Sequence, residues 1–163
     1  MKQPWFALGR QACRAGEAAP DFDLPDGRGQ MHRLSDYQGK WLLLYFYPRD
    51  NTPLCTREAC GVRDNWGEFS RLNAAVLGIS LDSEASHQRF AATLNLPFPL
   101  LSDISGDVAF RYGALLRLGP LRLARRFSFL IDPQGGIRQC YFKVQADKHA
   151  GEVVDELKRL QTV

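Results

Sequence analysis

The chain has 163 residues, 45% of them hydrophobic, and a formal net charge of +3. This length suits one domain with its own core, and the composition argues against disorder. The small, mixed charge does not indicate nucleic-acid binding, and no apolar run has the length of a membrane-spanning helix.

The cysteine content indicates thiol chemistry. Residues 1–9 lack the apolar stretch of a secretory signal, so we expect a cytoplasmic protein. In that compartment, four cysteines are more typical of redox chemistry or metal binding than of a disulfide framework. We predict an N-terminal extension, 1–16, and one domain, 17–163, because the chain shows no internal repeat and no linker to a second domain.

Hydrophobic periodicity and turn residues predict alternating strands and helices. In chain order we expect a hairpin of 20–24 and 31–33, a helical turn at 35–39, strand 41–47, helix 53–72, strand 74–80, helix 84–94, a short strand at 100–101, a short helix within 103–112, a hairpin of 126–131 and 137–144, and helix 147–160. Parallel crossovers followed by an antiparallel hairpin predict an α/β fold with a mixed central sheet and helices on both faces.

The junction between strand 41–47 and the next helix carries the clearest chemical signal. Thr52 suits a helix N-cap and Pro53 the first helical position, which places Cys55 in the first turn. Unpaired N–H groups and the helix dipole favour a thiolate there, and catalytic groups of α/β folds gather at such strand ends. We therefore predict that Cys55 is a reactive cysteine rather than a packed one.

The neighbours of Cys55 on this helix constrain its chemistry. Glu58, three residues on, lies on the same face, and its charge opposes a thiolate. A cation has to outweigh it, which predicts an arginine brought in from elsewhere in the chain. Cys60 lies five residues after Cys55, which is not a CxxC spacing, and the chain lacks the cysteine and histidine pairs of a zinc site.

The remaining cysteines and the histidines give weaker signals. His32, His87 and His149 are scattered singly, and we expect them at surface or loop positions rather than as metal ligands. Cys13 and Cys140 stand apart from the helix cysteines, and Cys140, within a predicted strand, is expected to be a packed thiol.

The residues around Cys55 resemble those of a known family. Pro48-x3-Thr52-x2-Cys55 resembles the active-site motif of the peroxiredoxins. Cys60 and the segment Arg63-Asp64-Asn65 are similar to the Q-type subfamily, also called bacterioferritin-comigratory proteins. The similarity covers roughly residues 17 to 160 and includes segments 19–22, 77–82 and 126–132.

The resemblance implies a thioredoxin-like fold and a thiol-dependent peroxidase that needs no metal, haem or flavin. Cys55 would be the peroxidatic cysteine and Cys60 the resolving one, joined during turnover by an intramolecular disulfide. Hydrogen peroxide and organic hydroperoxides would be the substrates. Thioredoxin, or else a glutaredoxin, would be the reductant, and the protein would be a monomer, with a dimer as the alternative.

The resemblance also implies roles for the surrounding residues. Thr52 would hydrogen-bond the peroxide and the sulfur, and Pro48 would shield the thiolate from water. Arg126 would be the active-site arginine that the charge argument requires, with Glu58 as the acid that helps hold it. Arg125 adjoins Arg126 but would point to the opposite face of a strand.

The sequence departs from the family over 112–124, where five leucines are interspersed with arginines instead of a more polar stretch. We interpret this segment as a loop that packs its leucines and solvates its arginines. The alternatives are an apolar lip that favours bulky organic hydroperoxides, or a contact with a partner or a membrane surface.

Two other functions remain as alternatives. A general disulfide reductase of thioredoxin type would act without peroxide, and the absence of a CxxC motif counts against it. A non-enzymatic thiol carrier of copper or zinc would bind metal stoichiometrically and would show no peroxide-dependent loss of thiols.

Overall fold

The computed structural model describes residues 11–162. Its strands are β1 (Asp23–Pro25), β2 (Met31–Arg33), β3 (Trp41–Phe46), β4 (Ala74–Ser80), β5 (Leu100–Ser102), β6 (Leu115–Leu118), β7 (Leu121–Ala124), β8 (Ser128–Ile131) and β9 (Ile137–Tyr141). Its helices are α1 (Pro53–Asp64), α2 (Trp66–Arg71), α3 (Glu84–Leu94), α4 (Asp107–Arg111) and α5 (His149–Gln161), with a 3-10 turn at Leu34–Tyr37. Within 11–162, no helix combines the length and apolar character that a bilayer crossing requires.

Five strands form the central sheet in the order β5-β4-β3-β8-β9. β3, β4 and β5 run parallel, whereas β8 and β9 are antiparallel to their neighbours. β3 lies in the middle and all its residues are buried, as expected for a run that is apolar on both faces. The predicted mixed sheet is confirmed, and so is the N-terminal hairpin of β1 and β2.

Two hydrophobic clusters cover the two faces of the sheet. Successive residues of β3 divide between them, because side chains alternate along a strand. Helices α1, α2, α3 and α5 contribute to the cluster that contains Cys55, which we call the helical face. The short helix α4 and the N-terminal segment contribute to the other cluster, so helices cover both faces, although unequally.

The predicted helix 53–72 is two helices, because α1 ends at Asp64 and Asn65 caps it. The side-chain amide of Asn65 donates to the carbonyl of Gly61 at 2.8 Å. Its backbone N–H also turns back to the carbonyls of Gly61, Val62 and Arg63. An amide side chain that bonds the local backbone competes with a continuing helix, which explains the break.

Segment 112–124 is not the loop that the sequence suggested. β6 and β7 pair in antiparallel register and form a hairpin of their own. Gly119, at φ +60, and Pro120 make the two-residue turn between the strands. Glycine at the first turn position is typical of such tight hairpins.

The strand predicted from residue 126 begins two residues later, at Ser128. The segment before it bends, and the N–H of Phe127 bonds the carbonyl of Arg125 at 2.8 Å. Arg126 therefore projects from an irregular connection between β7 and β8 rather than from a strand.

The described part of the N-terminal extension packs against the domain. The N–H of Cys13 bonds the Tyr112 carbonyl at 3.2 Å, and that of Gly16 bonds the Ile137 carbonyl at 2.8 Å. Gly113 has φ +73, and a Cβ atom on it would lie 2.3 Å from the Cα of Ala12. Residues 1–10 of the predicted extension lie outside the described residues.

All three histidines are buried, so the expected surface or loop positions are wrong. Each histidine ring has a hydrogen-bond partner, which offsets the cost of burying its polar atoms. The sequence alone did not show these partners. The pairs are His32 Nε2 with Asp26 Oδ2 at 2.8 Å, His87 Nδ1 with Asp50 Oδ2 at 2.7 Å, and His149 Nε2 with Ser128 Oγ at 2.8 Å.

Candidate active site

The candidate site begins where β3 leaves the sheet. A turn over 48–51, with Asn51 at φ +62, connects β3 to α1. Thr52 occupies the predicted N-cap position and Pro53 opens the helix, as the sequence indicated. The Thr52 hydroxyl does not cap the helix, however, because it donates back to the Arg49 carbonyl at 2.9 Å.

Cys55 lies in the first turn of α1 and is only 2% exposed. Arg126 reaches its sulfur from a position 71 residues later in the chain. The guanidinium Nη2 of Arg126 donates to Cys55 Sγ at 3.2 Å. A cationic donor in contact with sulfur stabilises a thiolate, both by charge and by the hydrogen bond.

Glu58 is buried beside the same guanidinium. Its Oε2 lies 3.6 Å from Nη1 of Arg126, an ion pair too long for a hydrogen bond. Burial raises the pKa of Glu58 to about 7, although the Arg126 charge opposes that rise. Glu58 therefore exchanges its proton near neutral pH, and Arg126 links the carboxyl group to the sulfur.

Two further polar groups border this cluster. Burial and the charges of Glu58 and Cys55 raise the pKa of Tyr45 well above its usual value, so its hydroxyl keeps its proton. Burial lowers the pKa of His149 to about 4, and the Arg126 charge adds to this effect. His149 is therefore neutral at pH 7, and Arg126 supplies the positive charge at the sulfur.

A buried network that the sequence analysis missed supports the turn before α1. Asp50 accepts hydrogen bonds from the Tyr47 hydroxyl at 2.7 Å and from the Ser86 hydroxyl at 2.8 Å. Its other contacts are the ring of His87, at 2.7 Å, and the carboxylate of Asp82, which accepts the Asp50 N–H at 2.9 Å. These contacts stabilise the turn that precedes Thr52 and Cys55.

The same network is the candidate metal-binding group among residues 11–162, since ligand atoms of Asp50, Asp82 and His87 lie within 4.8 Å of one another. The fit to a metal is poor. His87 Nδ1 already contacts Asp50, and its Nε2 bonds the Leu101 carbonyl at 3.0 Å. Both ring nitrogens of His87 are thus engaged in hydrogen bonds.

The other cysteines divide into two groups. Cys60 is half-buried on α1, and both it and Cys55 are thiols within an unbroken helix. Cys13 and Cys140 lie together on the opposite side of the sheet, where the Cys140 thiol donates to the Cys13 carbonyl at 3.3 Å. Burial, followed by the neighbouring Cys13, raises the pKa of Cys140 to about 11.

The structure thus brings Cys55, Glu58 and Arg126 into one cluster. Thr52 begins the same helix but points its hydroxyl at the turn, and Pro48 is half-buried at the start of that turn. Arg125 is exposed and lies over the ring of Phe127, 5.9 Å from its centroid, away from the sulfur.

A mixed sheet, a buried cysteine in the first turn after its central strand, and a guanidinium on that sulfur define a thiol oxidoreductase with a thioredoxin-like fold. Comparisons with known proteins agree. The AhpC/TSA family model matches residues 15–140. The chain therefore belongs to the AhpC/TSA family, and its relatives place it among the Bcp, or Q-type, peroxiredoxins, which are thiol peroxidases.

Relatives and solved structures match over most of the chain. A putative peroxiredoxin Bcp from Coxiella burnetii is 47% identical over 150 residues, covering 90% of this chain and 99% of the relative. The crystal structure of the peroxidoxin BcpB from Mycobacterium tuberculosis has a TM-score of 0.85 at 34% identity, covering 90% and 97% of the two chains.

A trapped intermediate/ligand complex of the Xanthomonas campestris bacterioferritin comigratory protein also matches. Its TM-score is 0.81 at 31% identity, covering 85% of this chain and 91% of that chain. That structure concerns alkyl peroxide reduction by the Xanthomonas protein.

Proposed function

We propose that Cys55 is the peroxidatic cysteine and Cys60 the resolving cysteine of a peroxidase that reduces hydrogen peroxide and organic hydroperoxides. The observation that carries this proposal is the 3.2 Å contact between Arg126 Nη2 and Cys55 Sγ. The alkyl peroxide reduction described for the Xanthomonas relative supports organic hydroperoxides as substrates.

The first step uses the thiolate, because the neutral thiol is a poor nucleophile. Cys55 attacks the terminal peroxide oxygen, the O–O bond breaks, and water or an alcohol leaves after taking up a proton. The sulfur becomes a sulfenic acid. Negative charge develops on the oxygens in the transition state, where Arg126 and the N–H groups of the first helical turn stabilise it.

Three neighbouring residues complete the proposed site. The Thr52 hydroxyl donates to the Arg49 carbonyl in this structure, and rotation about its side chain frees it to bind the peroxide. Pro48 limits access of water to the thiolate, and Glu58 holds Arg126 through their ion pair.

The second step regenerates the enzyme. The Cys60 thiol condenses with the sulfenic acid, releasing water and forming a Cys55–Cys60 disulfide. Thioredoxin, or else a glutaredoxin, reduces that disulfide by exchange. We propose that this cycle operates in a monomer in the cytoplasm.

Resolution requires α1 to unwind. Residues five apart in a continuous helix have Cα atoms roughly 8.6 Å apart and side chains that diverge, whereas a disulfide needs about 4.4–6.8 Å. Both cysteines lie within α1, so the bond cannot form while α1 stays helical. We expect amide hydrogen exchange across 55–65 to be at least about tenfold faster in the disulfide form than in the reduced form. Equal protection in both forms, with the Cys55–Cys60 bond verified by mass spectrometry, would rule out this unwinding.

A Cys60→Ser variant tests the assignment of the two cysteines. It retains Cys55 and loses only resolution, so we expect one turnover with peroxide and a sulfenic acid that dimedone traps on Cys55. Wild-type protein with thioredoxin, its reductase and a series of hydroperoxides gives continuous turnover. Reduction of insulin disulfides without any peroxide consumption would instead identify a disulfide reductase, and failure to trap a modified Cys55 would refute its role.

A further inference from the structure

The β6–β7 hairpin has two chemically different faces. Strand register pairs Leu115 with Ala124 and Arg117 with Arg122, and these four residues share one face. The intervening positions share the other face, and all of them are leucine: Leu116, Leu118, Leu121 and Leu123. We call the second set the leucine face.

The first face turns toward the body of the protein. Ala124 is buried, and a Cβ atom placed on Gly106 would lie 3.2 Å from Leu115 Cδ1. The guanidinium Nη1 of Arg122 donates to the Ser105 carbonyl at 2.7 Å. The hairpin is therefore anchored through this side, and the leucine face points away from the domain.

The exposure of the leucines agrees with that orientation. Leu118 and Leu121, at the tip, are 59% and 43% exposed. Leu116 and Leu123, nearer the base, are half-buried. Contiguous exposed apolar side chains of this kind mark a contact surface rather than an ordinary solvent face.

The charged residues of the hairpin itself are arginines, and the nearest acidic residues along the chain are Asp107 and Asp132. Between residues 108 and 131 the chain has five arginines and no acidic residue. Arg117 and Arg125 are exposed, and neither makes an ion pair with a carboxylate among the described residues. The other three arginines are engaged, since Arg111 and Arg122 donate to backbone carbonyls and Arg126 contacts Cys55. Arg117 and Arg125 are therefore the cations that lie available to anionic groups.

The arginines near the hairpin help to decide between two possible binding partners of the leucine face, a second copy of the chain and a lipid bilayer. A second copy of the chain would bring two arginine-rich hairpins together, and four leucine side chains fall well short of the roughly 800 Å² per partner that a stable dimer buries. An anionic bilayer matches both features. Its headgroups neutralise the arginines, and its acyl boundary accepts the leucines.

We propose that the leucine face and its flanking arginines dock the protein reversibly on anionic lipid bilayers. The hairpin tip enters the boundary between headgroups and acyl chains. Arg117 lies next to the tip on the face opposite the leucines, and Arg125 follows the end of β7. Their long side chains reach the headgroups around the edges of the hairpin, as basic residues do near interfacial apolar anchors. The docking surface is separate from the peroxide chemistry and does not depend on the function proposed above.

Vesicle co-sedimentation of the full reduced chain tests the proposal. We expect binding to vesicles of phosphatidylglycerol and phosphatidylcholine, none to phosphatidylcholine alone, and loss of binding at high salt, because exposed charges are screened. The double variant Leu118→Ser/Leu121→Ser is expected to bind at least tenfold more weakly. Arg117→Gln is expected to weaken binding about fivefold, the effect of one basic residue at such a surface.

The matched control is Met31→Ser, which removes an exposed apolar side chain from the β1–β2 hairpin. It is expected to bind vesicles as the wild type does. Circular dichroism and peroxide consumption without vesicles verify that every variant is folded. Equal vesicle binding by the wild type and the Leu118→Ser/Leu121→Ser variant would overturn the proposal. A dimer that Leu118→Ser/Leu121→Ser abolishes, without vesicle binding by the wild type, would overturn it in favour of a second copy.

Discussion

The chain contains two equally buried cysteines in opposite chemical settings. Cys55 and Cys13 are each 2% exposed, but on different faces of the sheet. The sulfur of Cys55 accepts a hydrogen bond from Arg126 at 3.2 Å. The sulfur of Cys13 instead donates to the Arg111 carbonyl at 3.5 Å, and that of Cys140 donates to the Cys13 carbonyl at 3.3 Å.

From this difference we expect that burial alone does not determine the reactivity of a cysteine. A donor directed at the sulfur stabilises the thiolate, whereas a carbonyl acceptor stabilises the neutral thiol because it needs the proton. Because the two cysteines are equally buried, we expect the polarity of the neighbouring group to distinguish their chemistry. The comparison predicts chemistry at Cys55 and packing at Cys13 and Cys140.

Replacement of Cys55 should give the largest effect. We expect Cys55→Ser to abolish peroxide consumption, because a hydroxyl is not ionised under conditions in which the thiolate reacts. Loss of peroxide is measured directly, with thioredoxin and its reductase present. The matched control, Cys13→Ser, is expected to turn over. Sustained peroxidase activity in Cys55→Ser would show that another sulfur reacts. It would contradict the contrast drawn between Cys55 and Cys13.

Removal of the Arg126 donor should make the surroundings of the Cys55 sulfur more like those of the Cys13 sulfur. Arg126→Ala leaves Glu58 without its cation beside the sulfur. Loss of one charge-assisted donor to a developing negative charge typically costs about a hundredfold in rate. Stopped-flow measurement of the peroxide step and thiolate absorbance across pH report the change.

Arg125→Ala is the control for this experiment, because its side chain lies over Phe127 rather than at the sulfur. It is expected to react at the wild-type rate. If Arg126→Ala also kept the wild-type rate and thiolate titration, Arg126 would have no role at the sulfur.

The titration of Glu58 should change how the free energy of unfolding depends on pH. The pKa of Glu58 is about 7 in the folded protein, above its usual value of 4.5. The folded state therefore binds the proton more tightly, and this contribution to stability is present below pH 4.5 and is lost as pH rises through 7. Relative to Glu58→Gln, the wild type is expected to lose about 2 kcal/mol of unfolding free energy between pH 5 and pH 7.

Urea unfolding of both reduced proteins over this pH range measures the difference. His149→Gln provides an opposite control, because the pKa of His149 is lowered to about 4 and its contribution grows as pH rises from 4 to 6.5. Parallel stability curves for the wild type and Glu58→Gln would show that Glu58 titrates normally.

The smallest effect on activity is expected on the other side of the sheet. Cys13→Ala and Cys140→Ala remove thiols that donate to backbone carbonyls on the face of the sheet opposite Cys55, so peroxide turnover should stay within about twofold of wild type. Stability should fall by roughly 1–2 kcal/mol for Cys13→Ala, because that side chain lies in the core. A hundredfold loss of turnover in a folded Cys140→Ala variant would show that this side of the sheet also takes part in the chemistry.

The sequence predicted best those elements whose signals are local. β4 has the predicted bounds, Ala74–Ser80, because an apolar run between turn residues defines a strand by itself. Cys55 was found in the same way, from a cap residue and a proline at the start of a helix. The β6–β7 hairpin also carried a local signal, the alternation of leucine and arginine about Gly119-Pro120, which the sequence analysis did not use.

The rest depended on contacts between distant parts of the chain. The requirement for a cation could be argued from Glu58, but its supply by Arg126 was inferred from family resemblance, since the two residues meet only through the fold. The Asp50–His87 pair spans 37 residues and has no spacing signal at all. Burial of the histidines follows from such partners, so no pattern in their immediate sequence could have predicted it.

The hydrogen bonds of the N-terminal segment also bear on the tendency of the protein to aggregate through its sheet edges. β9 and β5 are the outermost strands of the central sheet, and such strands present free backbone groups to which other chains can add. Residues 16–19 bond the start of β9 through Gly135 and Ile137, and Asp26 forms a bridge with Leu101 of β5. The segment 16–26 thus covers the start of β9 and the middle residue of β5, and it hinders strand addition at these positions. A shortened chain beginning at Leu34 would therefore gain a tendency to aggregate through its sheet edges, even with Cys55 and Arg126 intact.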